Sequence, residues 1–370
     1  MSKLHASNLR VLAWPANAPG NAYIRLLYEH MRAFGVEVTD FSPARALFTS
    51  AEIWHLHWPE SPLRHARFPR AFLRMTVLLG LIVLARLRGT TVIWTAHNLD
   101  VHESSHPRLE RWFWKGYSRV ISGFISLTEG ALETVRSTLP ALRRRPGVVV
   151  PHGHYRGAYA DSTTREEARA TLGIAPEASV TAFVGQIRPY KNVPHLIRAF
   201  RSLPHLERHL LIAGKPSTEA LAKEVKAAAA EDTRVSCFLG FIPDDAVQLY
   251  LHAADLVVLP YRDILNSGSV LLALSFDCPV LVPRKGAMEE LRAWCGAEWI
   301  RTYSGELTTA ELEEAIAWVQ TGTPYRGQCT ALDELNWHDL ACRTVDAYRD
   351  IRQTRGSPSM RRPLQTYQAA

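Results

Sequence analysis

The sequence holds only five cysteines, Cys237, Cys278, Cys295, Cys329 and Cys342, an odd number at wide spacings. It has no Cys-x-x-Cys pair and no Cys/His ligand spacing, which excludes the usual structural zinc sites. Scattered thiols, and no apolar leader at the N-terminus, predict a reducing, cytoplasmic setting. Asp-x-Asp is also absent, so neither a metal nor any other cofactor is expected. No repeat of solenoid length occurs. A hydrophobic content of 47% with 21% charged residues is ordinary for a globular protein and excludes a disordered chain. Acidic residues are outnumbered, 36 against 43 basic, for a formal net charge of +7. That balance admits nucleic acid, an anionic membrane surface or a phosphorylated substrate as partner, and charge alone does not choose among them.

The 370 residues suffice for two cores. Apolar, β-rich runs at residues 8–13, 53–57, 91–95, 122–127 and 147–150 alternate with helical patterns. After a polar break at 155–176 the alternation restarts, with strands at 179–184, 209–213, 235–239 and 256–260. Helices are expected between them at 193–202, 219–230 and 246–252. Buried parallel strands joined by helices predict an α/β architecture, two Rossmann-like doubly wound domains facing a cleft. The expected division is 1–160 and 175–335, with an amphipathic helix at 337–354 returning to the first domain and a flexible polar tail at 356–370.

Residues 72–88 stand apart. An uncharged core, 75–85, is flanked by Arg64, Arg67, Arg70, Arg74, Arg86 and Arg88. It falls short of the about 20 residues that span a bilayer. Two readings stay open, a buried helix on the sheet and an interfacial helix with arginines at anionic headgroups. Arginines that flank an apolar helix, not interleaved with exposed aromatics, argue against nucleic acid.

Four clusters can carry chemistry. His55-Leu-His57-Trp-Pro-Glu60 and Thr95-Ala-His97-Asn98-Leu-Asp100-Val-His-Glu103 each follow a strand, where open α/β sheets bind ligands. Histidines and a carboxylate there suit sugar hydroxyls and proton abstraction, although each histidine alone is more often a loop or core residue than a catalyst. Gly185-Gln-Ile-Arg188-Pro-Tyr-Lys191 offers two cations to a diphosphate, or is a solvated turn. The turn Asn266-Ser267-Gly268-Ser269 opens an apolar helix behind an apolar run. It is either a phosphate cradle of backbone N–H groups and helix dipole or an ordinary well-capped βα turn.

The second half, with Gly-x-x-Arg-x-x-Lys at 185–191, Leu-Gly-Phe-x-Pro-Asp-Asp at 239–245 and the block 259–280, resembles the nucleotide-sugar domain of GT-B glycosyltransferases. The motifs at 55–60, 97–103, 152–156, 187–191 and 266–275 resemble, in order, the bacterial β-mannosyltransferases of xanthan-type exopolysaccharide assembly. The large retaining GT-B family carries two glutamates whose matching positions here are Ile264 and Leu272. That departure fits an inverting enzyme.

The resemblance implies GDP-mannose as donor and a polyprenyl-diphosphate oligosaccharide as acceptor, at the cytoplasmic face of the inner membrane. It implies Glu103 as the base, with Glu60 and His97 as rivals, and His97 as an alternative sugar contact; Asp100 has no counterpart. Donor contacts are expected from Gly185, Arg188, Lys191, Tyr261, Asn266, Ser267, Gly268 and Ser269. Acceptor or sugar contacts are expected from Asn17, Asn21, His57, Asn98, His152 and His154. A UDP-sugar-dependent glucosyl- or glucuronosyltransferase, a nucleotide-sugar epimerase and a non-catalytic glycan-binding protein remain as alternatives.

Overall fold

In a computed structural model, residues 8–99, 106–204, 207–321 and 327–354 are described. The chain divides into two compact units. One runs to His152 and resumes at Trp337; the other is Gly153–Asn336. The tail beyond Arg355 lies outside the described residues.

The first unit is built on β1 (Arg10–Trp14), β2 (Glu37–Asp40), β3 (Ile53–Leu56), β4 (Thr91–Thr95), β5 (Gly123–Ser126) and β6 (Gly147–Val149). They form a parallel sheet in the order β2-β1-β3-β4-β5-β6. Every residue of β3, β4 and β5 is buried, as continuous apolar strands covered by helices on both faces require. Trp54, Trp94, Phe113, Tyr117 and Phe124 fill the core on one face. The strand order reverses between β1 and β3, so loops leaving these two strands flank the switch point where such sheets bind ligands.

The second unit holds β7 (Ser179–Val184), β8 (Arg208–Ala213), β9 (Val235–Phe238), β10 (Leu256–Val258), β11 (Val280–Pro283) and β12 (Ile300–Tyr303). Their order is β12-β11-β10-β7-β8-β9, again all parallel. The switch point falls between β7 and β10. Two Rossmann-like α/β sheets are thus present, as the alternating pattern predicts.

Three expectations need correction. The polar stretch 155–176 contains a helix, Arg165–Leu172, with a full capping box between Thr164 and Glu167. Its Arg169 is almost fully buried and donates to Asp255 at 2.9 Å, while Asp255 accepts the Val180 N–H at 2.8 Å. A buried charge needs such a partner, and this one pins the helix beside β7. Second, the apolar run at 256–260 leaves the sheet after Val258.

Third, the helix expected from residue 72 begins earlier. It spans Phe68–Leu87, 20 residues, long and apolar enough by length and composition to cross a membrane. Yet Ala71, Met75, Leu78, Leu81, Ile82 and Ala85 form a buried stripe that commits one face to the domain core. Phe72, Leu73, Val77, Val83 and Leu87 remain exposed on this helix. The buried-helix reading therefore describes one face of this segment.

Candidate active site

The second unit builds its site at the carboxyl end of β7. Gly185 has φ +132, a conformation open to glycine. A Cβ on Gly185 would stand 3.4 Å from Ser269 Oγ and 3.6 Å from Lys191 Nζ, so three expected donor residues converge on one spot. Behind them Gly214 is pressed so close that a Cβ would lie 1.8 Å from the Gly185 carbonyl oxygen.

Lys191 ends the turn Pro189–Lys191 and is buried, its Nζ 5.5 Å from the centre of the Tyr261 ring and 5.8 Å from that of Phe183. Burial, and secondarily the Arg188 charge, holds the ammonium below its ordinary pKa. A cation stripped of water in this way gains most when an anion arrives. Arg188, half-buried, donates to Gln186 Oε1 at 3.1 Å.

Ser267 caps the helix Gly268–Ser275, its Oγ accepting the Val270 N–H at 3.3 Å. The Tyr261 hydroxyl lies 3.4 Å from Ser267 Oγ. The Arg262 N–H donates to the Tyr190 carbonyl at 2.8 Å, tying the loop after β10 to the turn after β7. Asn266 is half-buried in the same loop. A cavity of about 380 Å³, lined in part by Tyr261, Arg262, Lys285 and Tyr303, adjoins this cradle through Tyr261.

The first unit gathers a different set. His55 and His57 at the end of β3 and His97 after β4 sit against Tyr23 and Tyr28 of the helix Ala22–Arg32 and Tyr348 of the helix Trp337–Gln353. Trp58 stacks on His97 with ring centres 4.8 Å apart, and Tyr23 meets it edge-on at 5.0 Å. Burial pushes the histidines down: His55 to about 3, and His57 and His97 well below the ordinary imidazole value. All three are neutral near pH 7. His152 packs its ring 4.7 Å from Tyr23.

The structure redistributes several expected roles. His57 has both ring nitrogens engaged, Nε2 with Tyr28 at 2.7 Å and Nδ1 with His97 at 3.0 Å, and is 1% exposed. It therefore supports His97 instead of reaching a sugar itself. The Asn21 side chain caps the helix Ala22–Arg32, while Asn17 is exposed and Asn98 half-buried. Glu60 is buried beside Arg64 at 3.5 Å, and desolvation raises its carboxyl to about 7. His154 belongs to the second unit, its Nδ1 accepting the Arg156 N–H at 3.1 Å. Glu103 lies outside the described residues.

Tyr23, Tyr28 and Tyr348 were not expected at a site. Tyr348 lies on the buried face of an amphipathic helix, and a buried tyrosine hydroxyl requires a partner. Nothing local in the sequence names that partner, 293 positions away.

Among known proteins, the sequence profile of the group 1 glycosyl transferases matches residues 164–298. A GDP-mannose:glycolipid 4-beta-D-mannosyltransferase of Xanthomonas campestris is 31% identical over 323 residues, 87% of this chain and 86% of that protein. Sucrose-phosphate synthase from Thermosynechococcus elongatus superposes with a TM-score of 0.72 at 15% identity, over 94% of this chain and all of that one. Anabaena HepE in complex with UDP and glucose superposes with a TM-score of 0.62 at 16% identity, over 94% and 99%. The protein is thus a glycosyltransferase of GT-B fold, and it belongs to the family of the Xanthomonas GDP-mannose:glycolipid 4-beta-D-mannosyltransferase.

Proposed function

We propose that the protein transfers mannose from GDP-mannose to a polyprenyl-diphosphate-linked oligosaccharide, with inversion at the anomeric carbon, in exopolysaccharide assembly. The observation that carries this is the convergence of Gly185, Lys191 and Ser269 at the β7 end, a diphosphate cradle, in a chain 31% identical to a GDP-mannose enzyme over most of its length. Ile264 is a buried loop residue and Leu272 lies in the helix Gly268–Ser275, so neither supplies the carboxylate of the retaining enzymes.

In a single displacement the acceptor hydroxyl oxygen attacks C1 as its proton passes to a base, and the diphosphate leaves with the bonding electrons. Lys191, Arg188, Ser269 and the N-terminus of the helix Gly268–Ser275 take up the charge on the leaving group, so no divalent cation is required. Glu103 is the proposed base. His97, neutral and weakly basic, serves better as a sugar-hydroxyl contact. Glu60, 3% exposed and paired with Arg64, is poorly placed to meet an acceptor.

The exposed face of the helix Phe68–Leu87 is the proposed seat on the cytoplasmic leaflet. Leu73 and Leu87 are 62% and 80% exposed, and Trp112 stacks on Phe72 with ring centres 6.2 Å apart. Exposed Arg67, Arg70, Arg74, Arg108 and Arg111 lie on this helix, just before it, or on the helix Pro107–Val120, suited to anionic headgroups.

A panel of nucleotide sugars offered with membrane extract, followed by linkage analysis, tests the assignment. A β-mannosyl lipid product is expected from GDP-mannose alone. Retained anomeric configuration, or turnover with a UDP-sugar instead, overturns it.

A further inference from the structure

The cavity beside the cradle, about 380 Å³, counts Asn192, Tyr261, Arg262, Lys285, Tyr303 and Glu306 among its lining residues. Its size suits a small ligand. Its walls are held in place by hydrogen bonds. Lys285 Nζ donates to the Arg262 carbonyl at 2.6 Å, the Arg262 N–H to the Tyr190 carbonyl at 2.8 Å, and His195 Nε2 to the Leu307 carbonyl at 2.7 Å. These bonds join the loops after β10, β11 and β12 to the turn Pro189–Lys191 and to the helix Val193–Arg201 that follows it.

Asn192 is only 5% exposed, yet among the described residues its carboxamide has no hydrogen-bond partner. It stands at the start of the helix Val193–Arg201, where an asparagine ordinarily accepts a backbone N–H. Here its backbone is left-handed, φ 56 and ψ 32, and Pro194 has no N–H to offer, so no cap bond forms. Asparagine tolerates that conformation, but glycine does so without burying an amide. A buried amide left without a partner is costly. The Tyr303 hydroxyl, on a side chain only 5% exposed, also lacks a partner among the described residues.

Two open polar groups and two aromatic walls match a pyranose, which carries hydroxyls around its ring and C–H groups on its faces. The exposed rim, Arg262, Lys285 and Glu306, holds both signs of charge and singles out no ionic ligand. Position narrows the choice further. Tyr261 lines the cavity while its ring centre is 5.5 Å from Lys191 Nζ, and Asn192 follows Lys191 in the chain. In a nucleotide sugar the hexose is bonded directly to the diphosphate, whereas the base stands a whole ribose away. We propose that this cavity is a hexopyranose subsite, in which the Asn192 carboxamide and the Tyr303 hydroxyl hold ring hydroxyls beside Tyr261. Its place next to a diphosphate rests on the function proposed above; the pyranose chemistry does not. Either the donor or the acceptor glycan brings that ring.

Saturation-transfer NMR on the full chain tests this, with methyl α-D-mannopyranoside and methyl α-D-glucopyranoside as probes and a calorimetric titration of GDP alongside. The wild type should pass saturation to at least one glycoside, and saturating GDP should leave that signal in place. Asn192→Gly keeps the left-handed turn and removes the carboxamide; Tyr303→Phe keeps the ring and removes the hydroxyl. Each should weaken glycoside binding about fivefold, the scale of one hydrogen bond, while the GDP titration reports whether the neighbouring cradle is intact. If Asn192→Gly does not fold, Tyr303→Phe carries the test.

Displacement of the glycoside by GDP-mannose, where GDP does not displace it, assigns the subsite to the donor sugar. A glycoside that stays bound beside GDP-mannose assigns it to the acceptor glycan. No saturation transfer in the wild type, displacement of the glycoside by GDP itself, or a glycoside signal indifferent to every folded variant overturns the proposal. A wild type that binds a glycoside but not GDP would count against the diphosphate cradle and not against the subsite.

Discussion

At the end of β7 the second half of the chain buries a lysine, whose ammonium is held below its ordinary pKa by burial, whereas at the ends of β3 and β4 the first half packs three histidines, two of them fully buried, and keeps them neutral. Both sites sit at the switch points of parallel sheets with the same α/β logic. The difference lies in what surrounds the titratable groups. Lys191 has a glycine face, serine hydroxyls and a helix N-terminus, an arrangement consistent with the proposed diphosphate site. The histidines have aromatic rings and one another, an arrangement that admits hydrogen bonds but no net charge. Such a pair of sites suits a transferase, whose leaving group is charged and whose sugar is not.

Kinetics can break this contrast. The largest effect is expected from Glu103→Gln: kcat should fall by about 10³-fold or more, within the range for a lost general base, with nucleotide binding unchanged. Stopped-substrate assays paired with calorimetric titration of GDP separate the two quantities, and a near-normal rate removes Glu103 from the role. Lys191→Ala should lower kcat/KM by roughly 10²-fold to 10³-fold and weaken GDP binding in the same titration. If it spares GDP binding, the second half is not the charged partner.

Much of this arrangement was legible in the sequence. Continuous apolar strands announced both sheets, and the spacing of Gly185, Lys191 and the Ser267 cap announced a local cluster at the strand ends, because a turn of small residues and a capped helix are read from adjacent positions. The histidine chain was legible only in part. His55, His57 and His97 stand at strand ends, but Tyr28 and Tyr348 join them through tertiary packing that no spacing encodes. The helix Arg165–Leu172 had a signal, Thr164 three residues before Glu167, that its polar composition obscured. The two faces of the helix Phe68–Leu87 were masked because apolar residues surround it, leaving little amphipathic pattern to read.

A third perturbation tests the cradle's geometry apart from its charge. Gly214→Ala would drive a methyl group into the Gly185 carbonyl, so the loop bearing Arg188 and Lys191 must shift. Overpacking of this kind should cost about 3 kcal/mol and weaken GDP binding in parallel, measured by denaturant unfolding and titration. A loss of stability with intact binding would place the demand on packing alone.

The smallest effect concerns how strictly the first half excludes charge. Burial raises the Glu60 carboxyl to about 7 despite Arg64, whereas an unfolded glutamate titrates near about 4.3. The folded state therefore holds this proton more tightly. Its contribution is fully present below about pH 4.3 and is lost as pH rises through about 7. His55 moves the opposite way: with its pKa lowered to about 3, its contribution is full above about 6.5 and lost on acidification. Comparing Glu60→Gln with the wild type at each pH cancels the histidine term. The variant should gain in relative stability from pH 5 to pH 8 by about 2.5 kcal/mol, then level off, as read from thermal unfolding across a buffer series. A difference independent of pH would mean that Glu60 is ionised throughout. The first half would then store a buried charge beside its neutral histidines, and the contrast with Lys191 would be one of sign, not of kind.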